Sequence, residues 1–310
     1  MRKNIDGLAI FLMVMICGVW GCQQVAIKSV AEQISPGLQV GIRSAVAAFF
    51  VYLLFNRKDR IFHRLKNRRV LIPGLAVGIL FALEFLLVVT GIRLTSTSHT
   101  TLFLYTAPLF TAVGLHFLIP EEKLTRLQWI GILLAFTGLI IAVRFTSASA
   151  NTETQSLLGD LCAILAGLSW GITSIIIRCS SLSSIPSSCT LFYQLATAAV
   201  IILLASVFTG QTTFIATPAA LASLIFQTVV VAFISYLAWF TLLRYYQVSS
   251  LGTLILMTPV MGIVAGVYFL GETLYHDFVI GSLLILTGLV VCRLGRRKLP
   301  VPLFTSIQRR

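Results

Sequence analysis

Apolar residues along this 310-residue chain fall into ten blocks of about twenty, separated by short polar or charged stretches. The blocks run over about 7–27, 36–55, 70–92, 98–119, 127–145, 157–177, 187–209, 219–243, 250–270 and 275–292. A helix needs roughly 20 apolar residues to cross about 30 Å of hydrocarbon, so each block predicts a membrane span. Arg2 and Lys3 precede the first block, which then runs to Lys28 without a small-residue cleavage site. That predicts a retained first span and not a cleaved leader. The expected fold class is an all-α polytopic membrane protein with ten transmembrane helices.

Composition agrees with that pattern. The chain is 57% hydrophobic and 11% charged, with a mean hydropathy of +0.96, whereas soluble domains carry about 25% charged residues. The second half also repeats the first at an offset near 150 residues. Trp20-Gly21 matches Trp170-Gly171, and a cation follows eight residues after each Trp, at Lys28 and Arg178. Arg93 and Pro108 match Arg244 and Pro259, and Glu122-Lys123-Leu124 matches Glu272-Thr273-Leu274. Gly131 and Gly138 match Gly281 and Gly288.

Five spans per half is an odd number, so the halves enter the membrane from opposite sides. The expected architecture is two five-helix inverted repeats around a central cavity. Residues 1–145 form the first repeat with spans 1–5, and 146–156, rich in Ser and Thr, form an external linker. Residues 157–295 form the second repeat with spans 6–10, and 296–310 form a basic cytoplasmic tail.

The net charge of +13 raises nucleic acid as a partner, but its placement argues against that. With the N-terminus inside, the inner segments hold 19 of the 23 Lys and Arg, seven of them in NRKDRIFHRLKNRR. This is the positive-inside pattern. It predicts a multi-pass protein of the cell (inner) membrane with both termini cytoplasmic, whose partners are the lipid bilayer and a small-molecule substrate. The six cysteines show no CxxC spacing, so no metal or disulfide framework is expected. No Walker motif is present, so no nucleotide cofactor is expected and none of another kind is indicated.

Polar groups inside apolar blocks carry the candidate chemistry, because burying an amide without a partner costs roughly 2–7 kcal/mol. Trp20, Gln23 and Gln24 lie at i, i+3 and i+4 and share one helix face. Their repeat equivalents are Trp170, Thr173 and Ser174. Glu84 lies near the middle of span three, where a carboxylate marks a bundle interior or a water-filled path. It is expected to bind a proton, to pair with a substrate amine, or to be neutralised by Arg43; Ser235 takes its place in the second half. His99 opens span four and is a second proton-coupling candidate. Tyr105, Tyr193, Gln194, Gln227, Tyr236, Trp239 and Met257 add aromatic, amide and thioether surface near span centres. Pro108 and Pro259 fall mid-span as hinge candidates, and Glu122 and Glu272 are expected to cap or anchor loops.

These motifs carry a resemblance. The WG near the end of span one, the TAP and MTP prolines, EEKL and GETL after them, and the ten-span duplication resemble the drug/metabolite transporter superfamily with two EamA-type domains, over about residues 8–295. WGCQQVAIK is also similar to the bacterial amino-acid exporters of that superfamily, the aromatic amino-acid branch included. The resemblance implies a basket-shaped bundle whose cavity is built from spans 1–4 and 6–9. Spans 5 and 10 lie at the periphery, giving a monomer or a homodimer through them.

The expected function is a secondary transporter of small organic solutes, exporting amino acids, aromatic or other apolar ones included, or related metabolites. Transport is by alternating access, proton-coupled or facilitative. Substrate-binding candidates are Trp20, Gln23, Gln24, Glu84, Tyr105, Trp170, Tyr193, Gln227, Tyr236, Trp239 and Met257. The alternatives are an exporter of multiple drugs, cationic compounds or nucleosides and, in another class, an intramembrane lipid-handling enzyme. No HExxH or GxSxG supports an enzyme.

Overall fold

The structure is a computed structural model that describes residues 6–65, 67–119, 123–144, 150–245, 254–255 and 257–295. Its regular structure in this range is helical, apart from an isolated bridge between Ile34 and Phe214. Chain order gives α1 (Gly7–Ser29), α2 (Pro36–Asp59), α3 (Ile61–Leu65), α4 (Arg68–Leu94), α5 (Thr97–Leu104), α6 (Ala107–Leu118), α7 (Arg126–Arg144) and α8 (Ala150–Cys179). There follow α9 (Ser187–Phe208), α10 (Pro218–Ile225), a π-helical stretch (Phe226–Ser235), α11 (Tyr236–Tyr245), α12 (Met257–Leu270) and α13 (His276–Leu294). Among the described residues, seven helices are long and apolar enough to cross a membrane. Three shorter apolar helices, Arg126–Ala142, Met257–Leu270 and His276–Cys292, accompany them.

Local chemistry sets the helix starts. Asp6, Asn67 and Ser96 each accept a backbone N–H of the first turn, from Ala9, Arg69 and His99. Pro36, Pro108 and Pro218 sit in the first turn of their helices, where a missing N–H costs nothing. Three details depart from the apolar-block reading. The block 98–119 is two helices, broken at Tyr105 and Thr106 just ahead of Pro108. The block 219–243 contains the ten-residue π-helical stretch. Helix α8 starts at Ala150, inside the segment read as linker, because apolar runs mark the buried length of a helix and not its polar extension. The rest of that linker, Glu122 and the tail 296–310 lie outside the described residues.

The helices pack as a bundle. Helix α1 lies against α12, α8 against α5 and α6, α4 against α8 and α9, α2 against α9, and α7 against α13. One apolar core joins Met13, Val51, Phe85, Leu195 and Val231, and a second joins Phe103, Ile132, Phe278 and Ile285. The outside is apolar as well, with Phe49, Leu53, Leu133, Ile140, Leu204 and Leu283 exposed. A chain greasy on both sides matches lipid as its solvent.

The α7–α13 contact is close because glycines line it. A Cβ on Gly131 would stand 2.6 Å from the Gly288 carbonyl oxygen, and one on Gly138 would stand 2.6 Å from the Gly281 carbonyl oxygen. Gly138→Ala should therefore force the two helices apart at a cost of about 1–3 kcal/mol. A lowered thermal midpoint of the purified protein in detergent would register it, and an unchanged midpoint would contradict the contact.

Candidate functional site

A cavity of about 110 Å³ lies in the bundle interior, walled by α1, α4, α5, α8, α9 and α11. A single water needs only about 10–15 Å³ by this measure. The i, i+3, i+4 face of α1 brings Trp20, Gln23 and Gln24 to its wall. Helix α4 repeats that spacing with Phe81, Glu84 and Phe85. Leu104 and Tyr105 come from the end of α5, Trp170 from α8, Leu191 and Gln194 from α9, and Tyr236 and Trp239 from α11.

Aromatic rings form most of the wall. Trp20 meets Tyr236 and Trp239 edge-on at 5.6 and 5.7 Å between centroids. Tyr105 meets Trp170 at 5.3 Å, and Phe81 meets Phe85 at 4.9 Å, also edge-on. Each such pair contributes about 0.5–1.5 kcal/mol beyond its buried area, so the wall is held in one arrangement. The Trp20 indole N–H also donates to Ser235 Oγ at 2.7 Å.

The polar groups of the wall are less satisfied. Glu84 and Gln24 are buried, at 5% and 1% exposure. Glu84 Oε2 and Gln24 Oε1 have no hydrogen-bond partner in the structure. Leaving such a group unpaired costs about 1–3 kcal/mol, and more for a charge. Arg43 of α2 stands nearby with its Cζ 4.5 Å from the centre of the Phe85 ring. It is 1% exposed, and its Nε and Nη1 are also without partners. Phe85 is the chain neighbour of Glu84, yet no hydrogen bond or ion pair joins Arg43 to Glu84. The expected neutralising pair is thus present as a neighbourhood and not as a contact.

Eight of the eleven substrate-binding candidates reach the cavity: Trp20, Gln23, Gln24, Glu84, Tyr105, Trp170, Tyr236 and Trp239. Three lie elsewhere. Tyr193 fills the space over Gly74 with its ring and buries a hydroxyl that has no partner. Gln227 donates to Gln39 Oε1 at 2.7 Å and Ser223 Oγ at 3.1 Å, while Gln39 donates to the Ile27 and Ile34 carbonyls. Met257 packs against the main apolar core. Phe81, Phe85, Leu104 and Leu191 were not anticipated as wall residues. The pair flanking Glu84 was readable, since Phe81, Glu84 and Phe85 carry the same spacing as Trp20, Gln23 and Gln24.

His99 is not on the cavity wall with Glu84. Its Nδ1 lies 3.0 Å from Asp160 Oδ1, and its ring stacks on Phe278 at 4.1 Å. Thr95 Oγ1 donates to the same Asp160 oxygen at 2.9 Å. Asp160, fully buried, was missed because it sits at the polar edge of its apolar block. Pro108 follows the α5–α6 break directly, and Pro259 lies in the first turn of α12, behind a turn at Ile255.

Comparison with known proteins places this bundle. The EamA-like transporter family matches the chain twice, over residues 7–144 and 157–294. The chain belongs to that family. It is 25% identical to "Uncharacterized transporter YoaV" of Bacillus subtilis, over 87% of this chain and 91% of the relative. It is 26% identical to "Probable amino-acid metabolite efflux pump" of Escherichia coli, over 94% and 96% of the two chains. The Salmonella typhimurium protein of that name is 25% identical over 93% and 95%. A crystal structure of a protein 15% identical shares the fold, with a TM-score of 0.65 over 93% of this chain and 96% of its own. The protein is a multi-pass membrane transporter by family.

One ionic cluster in this EamA-like transporter ties three helices at the end of the bundle where α1 finishes. Glu272, after α12, accepts from Lys28 Nζ at 3.3 Å, Thr97 N at 2.6 Å, Ser98 N at 2.9 Å and Ser98 Oγ at 2.7 Å. It caps α5, as expected of a loop anchor, and holds α1 as well. Burial pushes its carboxyl up, but the Ser98 hydroxyl, the Thr97 and Ser98 N–H groups and Lys28 outweigh that and hold it below its ordinary value. A depressed carboxylate stabilises the fold above its unfolded pKa, and the effect is lost as pH falls through the folded value. Glu272→Ala should lower stability by about 2 kcal/mol at neutral pH. Thermal unfolding of both proteins across the acid range should show the gap closing below pH of about 4; a gap constant with pH would contradict the ionic cluster.

Proposed function

We propose that this chain is a secondary transporter that exports amino acids, aromatic or other apolar ones included, or related metabolites, by alternating access. The observation carrying this reading is the aromatic cavity whose buried carboxylate and amide oxygens lack partners inside the protein. Interior polar groups of this kind mark substrate or proton paths in membrane bundles. The names of two relatives, efflux pumps for amino-acid metabolites, support the substrate class and direction.

In this reading ten helices span the membrane, the seven long ones and the three shorter apolar ones, with the α5–α6 pair as span four. The two halves form inverted repeats. The α7–α13 contacts support that: Gly131 meets Gly288 and Gly138 meets Gly281, and an offset of 150 turns each contact into the other. So does the packing of α1 against α12, whose counterpart in the other half is α8 against α6. The basic residues of the α2–α4 connection orient the termini toward the cytoplasm of a cell, across its inner membrane. Glu272 and its partners would then close the outer end, with Pro108 and Pro259 next to the breaks that bend.

Purified protein in liposomes should move labelled aromatic and aliphatic amino acids down a gradient, with saturable rates. Cationic drugs and nucleosides run alongside separate the amino-acid reading from a multidrug or nucleoside exporter. No flux of any solute in that panel would sink the transporter reading.

A further inference from the structure

We infer that the cavity recognises a primary ammonium group, held between Glu84 Oε2 and Gln24 Oε1 with the apolar part of the solute against the aromatic wall. The inference rests on the transport reading and adds which part of the solute is bound, and by what. Two helices bring these side chains to the wall of the same small cavity, from the same i, i+3, i+4 spacing on α1 and α4, and each side chain has one oxygen without a partner. Both oxygens accept hydrogen bonds and neither receives one. Both side chains are more than nine-tenths buried, so bulk water does not substitute for a partner.

An ammonium group complements that pair, being three donors and no acceptor on a compact positive charge. The surroundings suit it further, because Trp and Tyr rings attract cations through their faces. Trp20, Tyr105, Trp170, Tyr236 and Trp239 all border the cavity. The protein's own cation is withheld from this position. Arg43 lies over the Phe85 ring, makes no bond to Glu84 and is not part of the cavity wall. Arg43 keeps one positive charge in the neighbourhood, over the Phe85 ring. A neutral zwitterion therefore adds no net charge to the interior, whereas a simple amine adds one that nothing balances. That balance favours an α-amino acid over a simple amine.

Three probes of one shape separate the contributions: tryptophan, tryptamine without the carboxylate, and indole-3-propionate without the amine. Calorimetric binding to the wild type in detergent should give indole-3-propionate an affinity at least tenfold below tryptophan, with tryptamine between them. Glu84→Gln should weaken tryptophan and tryptamine at least tenfold and leave indole-3-propionate unchanged. Gln24→Leu should show the same selectivity with a smaller loss. Tighter binding of tryptamine than tryptophan would keep the ammonium site and assign it to amines. Indole-3-propionate matching tryptophan on the wild type would overturn the inference, and that comparison needs no variant to fold. Equal loss of all three probes in a folded Glu84→Gln would overturn it too. Failure of all three to bind would also overturn it, while liposome flux of amine-free solutes would leave the transporter reading standing.

Discussion

Lipid offers a polar group no hydrogen bond, so each N–H, carbonyl, hydroxyl and carboxylate inside the membrane layer needs a partner from the protein itself. On outward faces four threonines meet that demand locally. Thr90, Thr137, Thr241 and Thr287 all stand on exposed helix faces. Each donates its hydroxyl to the carbonyl four residues earlier, at 2.7–2.9 Å. Inside, the demand is met between helices. Gln227 donates to Gln39, which donates to the Ile27 and Ile34 carbonyls, and His99, Asp160 and Thr95 form another network. Other buried groups, the Tyr193 hydroxyl and the Arg43 guanidinium among them, stay without partners, but Glu84 and Gln24 are set apart by standing together on the wall of the aromatic cavity.

The same constraint explains where irregular backbone is found. The α5–α6 break lies at Tyr105, a residue 5% exposed on the cavity wall, and the hydroxyl of Thr106 donates to the Phe103 carbonyl at 2.6 Å. The π-helical stretch Phe226–Ser235 runs directly into Tyr236 and ends at the hydroxyl that accepts the Trp20 indole. Broken or wide helix turns are tolerated at membrane depth only where protein or a cavity covers them. Here both adjoin residues of the cavity wall, Tyr105 and Tyr236.

Much of this was legible in the sequence, for physical reasons that differ by feature. Spans follow from hydrocarbon thickness, so apolar blocks located the helices within a few residues. The shared face of Trp20, Gln23 and Gln24 follows from helical periodicity, and both amides do reach the cavity. Glu84 stood out because a mid-span carboxylate needs a reason. Tyr193, Gln227 and Met257 share the residue types of the wall but point into packing or a network, and spacing within one helix does not say which neighbour a face meets. Asp160 was hidden at the polar edge of its block, where a carboxylate is unremarkable until Thr95 and His99 close around it. The π-helical stretch, Phe226–Ser235, has no marker among its residues.

The comparison of Glu84 with Ser235 shows what the two halves do with one position. Ser235 is fully engaged, accepting from the Trp20 indole at 2.7 Å and donating to the Val231 carbonyl at 2.6 Å. Glu84, which takes that place in the first half, carries a carboxyl oxygen with no partner. A serine bonded in this way fastens an aromatic wall and asks nothing of a solute. The Trp20 indole N–H is already given to Ser235, so it does not serve the carboxyl of Glu84. One half therefore fixes the cavity and the other leaves a demand inside it. Two identical halves would leave either no unmet charge or two of them, repelling each other across a space of about 110 Å³. Replacing one carboxylate by a hydroxyl removes that repulsion.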